Sequence, residues 1–161
     1  MDQERRTDTA DLSCSVYYAR SIVRCDPLSA WEILLSYEAW NPSFAPAQTS
    51  RIHGTARCEG EIVRIVACPP GGDPQPAFYA ETVKLVPQQH IVWHVYPEEG
   101  DSFRNFLEFG LSPRPEGVQF DIRCYARERM SADALAKHRS DTETGLQGLA
   151  LAFKEYCERR A

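Results

Sequence analysis

The chain has 161 residues, of which 43% are hydrophobic and 25% are charged, and its formal net charge is −5 at pH 7. This length and composition are typical of one globular domain whose core needs no metal ion or disulfide bond to hold it together. The negative charge argues against a nucleic-acid backbone as the main partner, because that partner requires a basic surface.

The cysteine spacing and the opening residues indicate which bound groups and which cellular location to expect. The cysteines, at positions 14, 25, 58, 68, 124 and 157, form no Cys-x-x-Cys pair and no Cys/His cluster with zinc spacing. The opening residues, MDQERRTDTADL, are polar and charged, unlike a signal peptide, and no apolar run approaches the ~20 residues that span a bilayer. We therefore expect a cytoplasmic protein with reduced thiols, no metal, no cofactor and no stable membrane insertion.

The first part of the chain predicts a strand followed by a short helix. Residues 13–24 are rich in β-branched and aromatic side chains, which favours a strand. Asp26 is a good N-cap residue and Pro27 suits the first helical position, so a helix should start there. The helix must end near Asn41, because the residue before a proline disfavours helical geometry.

The rest of the chain predicts a meander of strands and a long final helix. From Thr49 onward, about six segments with strand composition are separated by turn residues, a pattern typical of one antiparallel sheet. Residues 131 to about 159 contain no proline and carry apolar residues at helical spacing. We expect residues 1–12 to form a disordered tail and residues 13–161 to form a single domain.

Three stretches carry a resemblance to a known superfamily. They are RSIVRCDPLSAWEILLSYEAWNPSF, EGEIVRI and QQHIVWHVYPEEGDSFRNFLEF, followed by the final amphipathic helix. Together they resemble the START/Bet v 1-like (SRPBCC) superfamily, which includes the polyketide cyclase/dehydrase and lipid-transport group. The resemblance implies an α+β helix-grip fold: a curved antiparallel sheet of about seven strands around a long C-terminal helix, with a short helical segment after the first strand. That superfamily has no universal active-site motif, so a fold is implied more firmly than a function.

The last predicted strand shows most clearly which side chains face the interior. Its apolar positions alternate with polar ones, which turns the apolar set inward. A six-residue connection, SPRPEG, would place Leu111 opposite Val118 and Phe109 opposite Phe120. The inward set predicted from this strand is Val118, Phe120, Ile122, Cys124 and Ala126.

The same register, carried across EEGD, places His94 opposite Asn105 and Val92 opposite Leu107. A histidine and an amide would then lie together in an apolar wall, as in a selective pocket. Either the two side chains only hydrogen-bond each other, or His94 transfers protons. Glu81 would lie diagonal to His94 across a two-residue loop at PQQ, but would face outward across a three-residue loop. The candidate catalytic residues are therefore His94, Asn105 and Glu81.

This register also predicts an aromatic patch outside the sheet. Ile91, Trp93 and Phe106 would face outward, with Trp93 opposite Phe106. An exposed apolar patch often marks a partner surface, so these residues are a candidate homodimer interface.

The aromatic short helix can be interpreted in two ways. Its rings either close one end of a ligand cavity or pack as an ordinary core plug; they are Trp31, Tyr37, Trp40 and Phe44. In the first case the rest of the cavity lining is expected to be apolar. Those candidate ligand-binding residues are Val92, Leu107, Phe109, Phe120, Ile122, Cys124, Leu146, Leu149 and Phe153.

Three classes of function follow. The first is a binding or carrier protein for an apolar small molecule: a lipid, a polyketide or an aromatic metabolite. The second, implied by the resemblance to polyketide cyclases, is a cyclase- or dehydratase-type lyase or isomerase that uses an acid/base residue in the cavity. The third is a protein-interaction module of the co-chaperone type, which predicts a filled interior and a functional outer surface.

Overall fold

The computed structural model describes residues 12–42, 47–100, 104–129 and 132–160. Within these ranges the chain forms seven strands and three helices. They are β1 (Leu12–Val23), α1 (Pro27–Leu35), α2 (Tyr37–Trp40), β2 (Ala47–His53), β3 (Ile62–Ala67), β4 (Phe78–Val86), β5 (His90–Pro97), β6 (Arg104–Arg114), β7 (Gly117–Arg129) and α3 (Ala132–Glu158). The predicted disordered tail lies outside the described residues except for Leu12, which begins β1.

The strands form one antiparallel sheet in the order β1-β7-β6-β5-β4-β3-β2. Helix α3 packs against β1 and β7, and α1 contacts β6, β7 and α3. The predicted α+β helix-grip architecture, with its curved seven-stranded sheet, long C-terminal helix and short helical segment after the first strand, is confirmed. Among the residues that the structure describes, no helix is both long and apolar enough to cross a membrane.

The short helix begins where the sequence predicts. Both carboxylate oxygens of Asp26 accept backbone hydrogen bonds, from the Leu28 amide at 3.4 Å and the Ser29 amide at 2.8 Å. Pro27 occupies the first helical position, where its missing N–H costs nothing. The backbone is extended at Asn41, before the proline, and the second short helix ends there.

The β6–β7 pairing differs from the predicted register by two residues. Leu111 lies opposite Phe120 instead of Val118, because the strands continue to a tight turn between Arg114 and Gly117. A shift of two keeps every side chain on its predicted face, since the side-chain period of a strand is two. The inward set predicted for β7 is accordingly buried.

The β5–β6 pairing differs by one residue, and this reverses the predicted faces of β5. Asn105 lies opposite Val95, and His94 lies opposite Phe106 on the outer face of the sheet. The prediction that His94 and Asn105 lie together inside was therefore wrong. Trp93, predicted to face outward, lies opposite Leu107 on the inner face.

The predicted homodimer patch is wrong for the same reason. Ile91 and Trp93 are only 3% and 6% exposed, and they belong to the core. Phe106 does lie on the outer face, where it is 40% exposed. Val92, predicted to line the cavity, lies opposite Glu108 on the outer face instead.

Candidate functional site

The side of the interior next to α3 is filled by aromatic rings. The Trp40 ring meets Phe153 of α3 edge-on at 5.0 Å, and it also contacts Phe109 and Phe120 of the sheet at 6.3 Å and 6.0 Å. Its indole Nε1 donates a hydrogen bond to the Leu34 carbonyl at 3.3 Å, which satisfies the one polar atom of the ring. Trp40 therefore packs as a core plug.

The ring contacts continue toward the other side of the interior. Phe109 meets Trp93 at 5.1 Å, and Trp93 meets Tyr37 at 5.0 Å, both nearly edge-on. Tyr37 is half-buried, and its phenolic hydroxyl is directed toward Glu61. The short helix α2 thus places the ring of Trp40 in the core and the ring of Tyr37 beside a polar residue, Glu61.

A pocket of about 330 Å³ opens beside Tyr37, between the α1–α2 junction and strands β2 and β3. The inner face of edge strand β2 lies open here, because its Thr49 and Arg51 share a face with Val63 and Ile65 but are exposed. The walls are therefore apolar in part and polar in part. They are formed by Leu35, Ser36, Tyr37, Glu38, Ala39, Thr49, Arg51, Ala56, Arg57, Glu61 and Val63.

Glu61 is the most unusual residue of this pocket, because a carboxylate is only 5% exposed there. It precedes β3 by one residue, and its backbone is fixed on both sides: its N–H donates to the Cys58 carbonyl and its carbonyl accepts from the Thr82 amide at 2.9 Å. Gly54 of the β2–β3 turn packs against this backbone so closely that a Cβ there would lie 2.8 Å from the Cα of Glu61. The local chain thus holds Glu61 in one position.

Tyr37 and Glu61 form a hydrogen-bonded pair. The Tyr37 hydroxyl donates to Oε1 of Glu61 at 3.5 Å, which is longer than the ~2.5–3.0 Å usual for an O–H···O bond, so the hydrogen bond is weak. Burial raises the pKa of Tyr37 well above its ordinary value, and the nearby charges of Glu61 and Glu38 raise it further. The phenol therefore stays protonated and acts as a donor, while the carboxylate keeps spare acceptor capacity for another molecule.

Two arginines lie at the rim of the pocket. Arg57 in the β2–β3 turn donates from Nη2 to the Ser36 hydroxyl at 3.1 Å, and its Nη1 lies 3.8 Å from Glu32. Arg51 points into the same opening from β2. The floor of the pocket thus presents a phenol and a carboxylate, and the rim carries charges of both signs, from Arg51, Arg57 and Glu38.

The predicted catalytic residues do not gather at this pocket. Glu81 lies directly opposite His94, but both are on the outer face, away from Asn105. The His94 ring stacks on Phe106 at 4.6 Å, and burial lowers its pKa, with Arg104 adding to the effect and Glu81 opposing it. The three candidate catalytic residues are therefore divided between the two faces of the sheet.

Most of the predicted ligand-binding residues lie in the core. Phe44 lies outside the described residues. Tyr37 borders the pocket, and Leu107 is partly buried against the core. The others on the inner side are buried; they are Trp31, Trp40, Phe109, Phe120, Ile122, Cys124, Leu146, Leu149 and Phe153.

Sequence reasoning missed Glu61, although a signal for it was present. In GEIVRI, the positions Glu61, Val63 and Ile65 alternate with Ile62 and Arg64. The period of two that turns Val63 and Ile65 inward also turns Glu61 inward. A charged residue on a buried face of a strand is a candidate functional group.

No protein-family model matches the chain, and no curated protein matches it in sequence. Solved structures do match it. SA2116 from Staphylococcus aureus, a protein of unknown function, aligns with a TM-score of 0.70 at 13% identity and covers 93% of this chain and 97% of its own. Ara h 8.0201 aligns at 0.66 and 10% identity, covering 90% and 98%.

A third similar structure is the di-domain ARO/CYC StfQ from the steffimycin biosynthetic pathway. It aligns with a TM-score of 0.69 at 14% identity over 91% of this chain and 52% of StfQ, so the chain spans about half of that protein. The chain has the Bet v 1-like (SRPBCC) fold. For this Bet v 1-like chain, the TM-scores of 0.66 to 0.70 establish the fold. At identities of only 10% to 14%, the function has to be argued from the residues of its own site.

Proposed function

We propose that this protein binds a small, planar, partly apolar molecule in the pocket between α2 and strands β2 and β3. The observation that carries the proposal is the buried Glu61 carboxylate, paired with the Tyr37 phenol in the wall of an open pocket. A small-molecule site needs polar groups in fixed positions beside an apolar wall, and this pocket combines Tyr37 and Glu61 with a wall that is apolar in part. The molecule is held at its polar end by Tyr37 and Glu61, and along its ring by Leu35, Ala39 and Val63.

The size of the pocket narrows the ligand class. A volume of about 330 Å³ lies at the lower end of the range of roughly 300–1,000 Å³ that small-molecule pockets span. Rings from Trp40, Phe109, Phe120 and Phe153 fill the neighbouring space, where a long acyl chain or a sterol would have to extend. An aromatic metabolite or a one- or two-ring polyketide product fits better than a lipid, and the likeness to StfQ agrees with this choice.

The polar groups define where the oxygens of the ligand lie. Tyr37 donates a hydrogen bond, so it matches a carbonyl or ether oxygen, and Glu61 accepts one, so it matches a hydroxyl group. Arg51 at the rim suits an anionic substituent at the opposite end of the molecule, whereas Arg57 already contacts Ser36 and Glu32.

The test is a binding titration with a hydroxynaphthoic acid whose hydroxyl and carboxylate lie at opposite ends of the ring system. Calorimetry is performed on the wild type and on Glu61→Gln, Tyr37→Phe and His94→Ala variants. Loss of one buried polar partner costs ~1–2 kcal/mol, which is a five- to thirtyfold weaker affinity for Glu61→Gln and Tyr37→Phe. His94→Ala, which alters only the outer face, should bind like the wild type. Equal binding by all four proteins would place the ligand elsewhere.

A second candidate function is catalysis at the same pocket, as a cyclase- or dehydratase-type lyase or isomerase. The observation that favours it is again Glu61, a buried carboxylate within reach of the pocket and beside a phenol that stays protonated. In this function Glu61, instead of His94, takes the proton from the substrate, and Tyr37 donates a hydrogen bond to the oxygen that becomes negative.

Turnover separates the two functions. If the protein is an enzyme, Glu61→Gln should lose about 100-fold or more in kcat, because removal of a general base typically costs ~10²–10⁴, while Kd for the substrate changes far less. A binding protein gives product at the same rate as buffer for both the wild type and the variant. Loss of activity in His94→Ala, with Glu61→Gln active, would contradict this assignment.

A further inference from the structure

Two cysteines that are distant in sequence meet at the base of α1. Cys25 lies in the link between β1 and α1, and Cys157 lies in the last turn of α3. Both are free thiols and both are buried, at 9% and 0% exposure. Both side chains line the same surface pocket, and each thiol contributes to the pKa shift of the other, so the two side chains lie close together.

The pair is close to solvent on one side. Cys25 and Cys157 line a surface pocket of about 550 Å³, whose other walls include Leu28, Ile33 and Arg160. A small reagent that enters this pocket meets Cys25 first, because Cys25 is the more exposed of the two. Of the other described cysteines, Cys58 is exposed, Cys68 is half-buried and Cys124 is buried in the sheet.

We infer that Cys25 and Cys157 are a disulfide-forming pair that reacts with low-molecular-weight disulfides. The Cys25 thiolate attacks one sulfur of the reagent, forms a mixed disulfide and releases one thiol of the reagent. Cys157 then loses its proton and attacks the Cys25 sulfur, which releases the second thiol. The two protein thiols are thus oxidised to one disulfide bond, and the reagent is reduced to two thiols.

The surroundings of the pair set the speed of this reaction. Burial raises the pKa of Cys25 above its ordinary value, and burial together with Cys25 raises the pKa of Cys157 to about 12. Only the thiolate attacks a disulfide, so the reaction is slow at neutral pH. Below the pKa of Cys25 its rate should rise about tenfold for each unit of pH, because the thiolate fraction rises by that factor.

The bond changes the stability of the whole domain. It closes a loop of about 130 residues and joins the end of α3 to the start of α1, so it removes much freedom from the unfolded chain. The unfolding midpoint should rise by about 5–10 °C in the oxidised protein. The ligand pocket beside Tyr37 lies at the other end of α1, so this inference does not depend on the proposed function.

The test uses a variant in which the other four cysteines are replaced: Cys14→Ser, Cys58→Ser, Cys68→Ser and Cys124→Ala. The protein is incubated with oxidised glutathione at neutral and alkaline pH and then analysed by denaturing mass spectrometry. The expected product is lighter by two hydrogen atoms and yields one cross-linked peptide that contains Cys25 and Cys157. Adding Cys157→Ser to this background should stop the reaction at a stable mixed disulfide with glutathione.

Two outcomes would overturn the inference. The first is a protein that remains folded by circular dichroism but gains no intramolecular bond over the full pH range. The second is oxidised wild-type protein whose cross-linked peptide joins Cys25 or Cys157 to a different cysteine. Since the wild type is mapped in parallel, the test does not depend on whether the substituted proteins fold.

Discussion

The two ends of the interior differ in what fills them. Next to α3, rings from Trp40, Phe109, Phe120 and Phe153 pack together. Beneath β2, the same curved sheet encloses a carboxylate, a phenol and an open volume of about 330 Å³. Burying apolar rings stabilises a fold, whereas burying a carboxylate costs free energy, so the second end is where function is expected.

The largest expected change in stability comes from the end of the interior that packs against α3. Trp40→Ala should lower the free energy of unfolding by about 3–5 kcal/mol, because it removes a ring that the core cannot replace. Urea denaturation measures this loss. Leu28→Ala on α1, where the side chain is 57% exposed, is the matched control and should change stability by less than about 0.5 kcal/mol. A small effect of Trp40→Ala would mean that this ring is a movable gate and would remove the distinction between the two ends.

The next prediction concerns Gly54, which packs against the backbone of Glu61 at the end of the interior that contains the pocket. Gly54 has φ +80°, and an added Cβ would lie 2.7 Å from the Gly60 carbonyl oxygen and 2.8 Å from the Cα of Glu61. Gly54→Ala should therefore destabilise the protein by about 2–3 kcal/mol. It should also weaken ligand binding, since the backbone that holds Glu61 must move.

The control for Gly54→Ala is Gly145→Ala, which should raise the stability of the protein instead of lowering it. Gly145 lies within α3, and a Cβ there would meet nothing within 4 Å. Gly145→Ala should therefore stabilise the protein by up to about 1 kcal/mol, the helix-propensity difference between the two residues. If Gly54→Ala behaves like Gly145→Ala in thermal denaturation, then the β2–β3 turn does not position Glu61.

The elements of the fold could be predicted from the sequence because their signals are local. Asp26 and Pro27 mark a helix start within a few residues, and the final helix is long enough to show its periodicity. The pairing of β5 with β6 is not local, since it depends on the geometry of the connection at EEGD. A one-residue error there reverses both faces of a strand, and it moved His94 and Trp93 to the wrong sides.

The sequence of β5 itself pointed to the correct faces. Ile91, Trp93 and Val95 form a continuous apolar series, and the alternating positions are His90, Val92, His94 and Tyr96. A strand's own alternation therefore predicts its inner face better than a register carried across a loop. By the same reasoning, Glu61 was predictable as an inward residue, but its pairing with Tyr37 was not, because it depends on how α2 packs over the sheet.

A smaller change in stability, that of Glu61→Gln, shows whether Glu61 serves ligand binding or the packing of the fold. Glu61→Gln removes a buried charge while keeping the shape and one hydrogen-bond acceptor, so the free energy of unfolding should stay the same or rise by up to about 1 kcal/mol. Chemical denaturation of the variant, in parallel with the binding titration, measures both quantities on one protein. A decrease of more than about 2 kcal/mol in the free energy of unfolding would show that Glu61 stabilises the fold. The end of the interior with the pocket would then resemble the end that packs against α3.

The smallest effect comes from His94, which lies outside both ends of the interior. Its pKa is lowered in the folded protein by burial first, then by Arg104, and Glu81 opposes the shift. Between about pH 7 and pH 5 the unfolded chain therefore binds a proton more readily than the folded one, and stability falls as the pH decreases. The loss should be under about 1 kcal/mol, because the ring is only half-buried and solvent screens it.

His94→Gln should flatten this part of the pH–stability curve and leave ligand affinity unchanged. The carboxylates with lowered pKa values lose their stabilising effect only at more acidic pH, below about 4, so they do not contribute in this window. They are Asp26, Glu98, Asp121 and Glu158. If instead His94→Gln changed the pH dependence of ligand binding, proton transfer would have to couple the outer face to the pocket, and the polar end could no longer be described by Tyr37 and Glu61 alone.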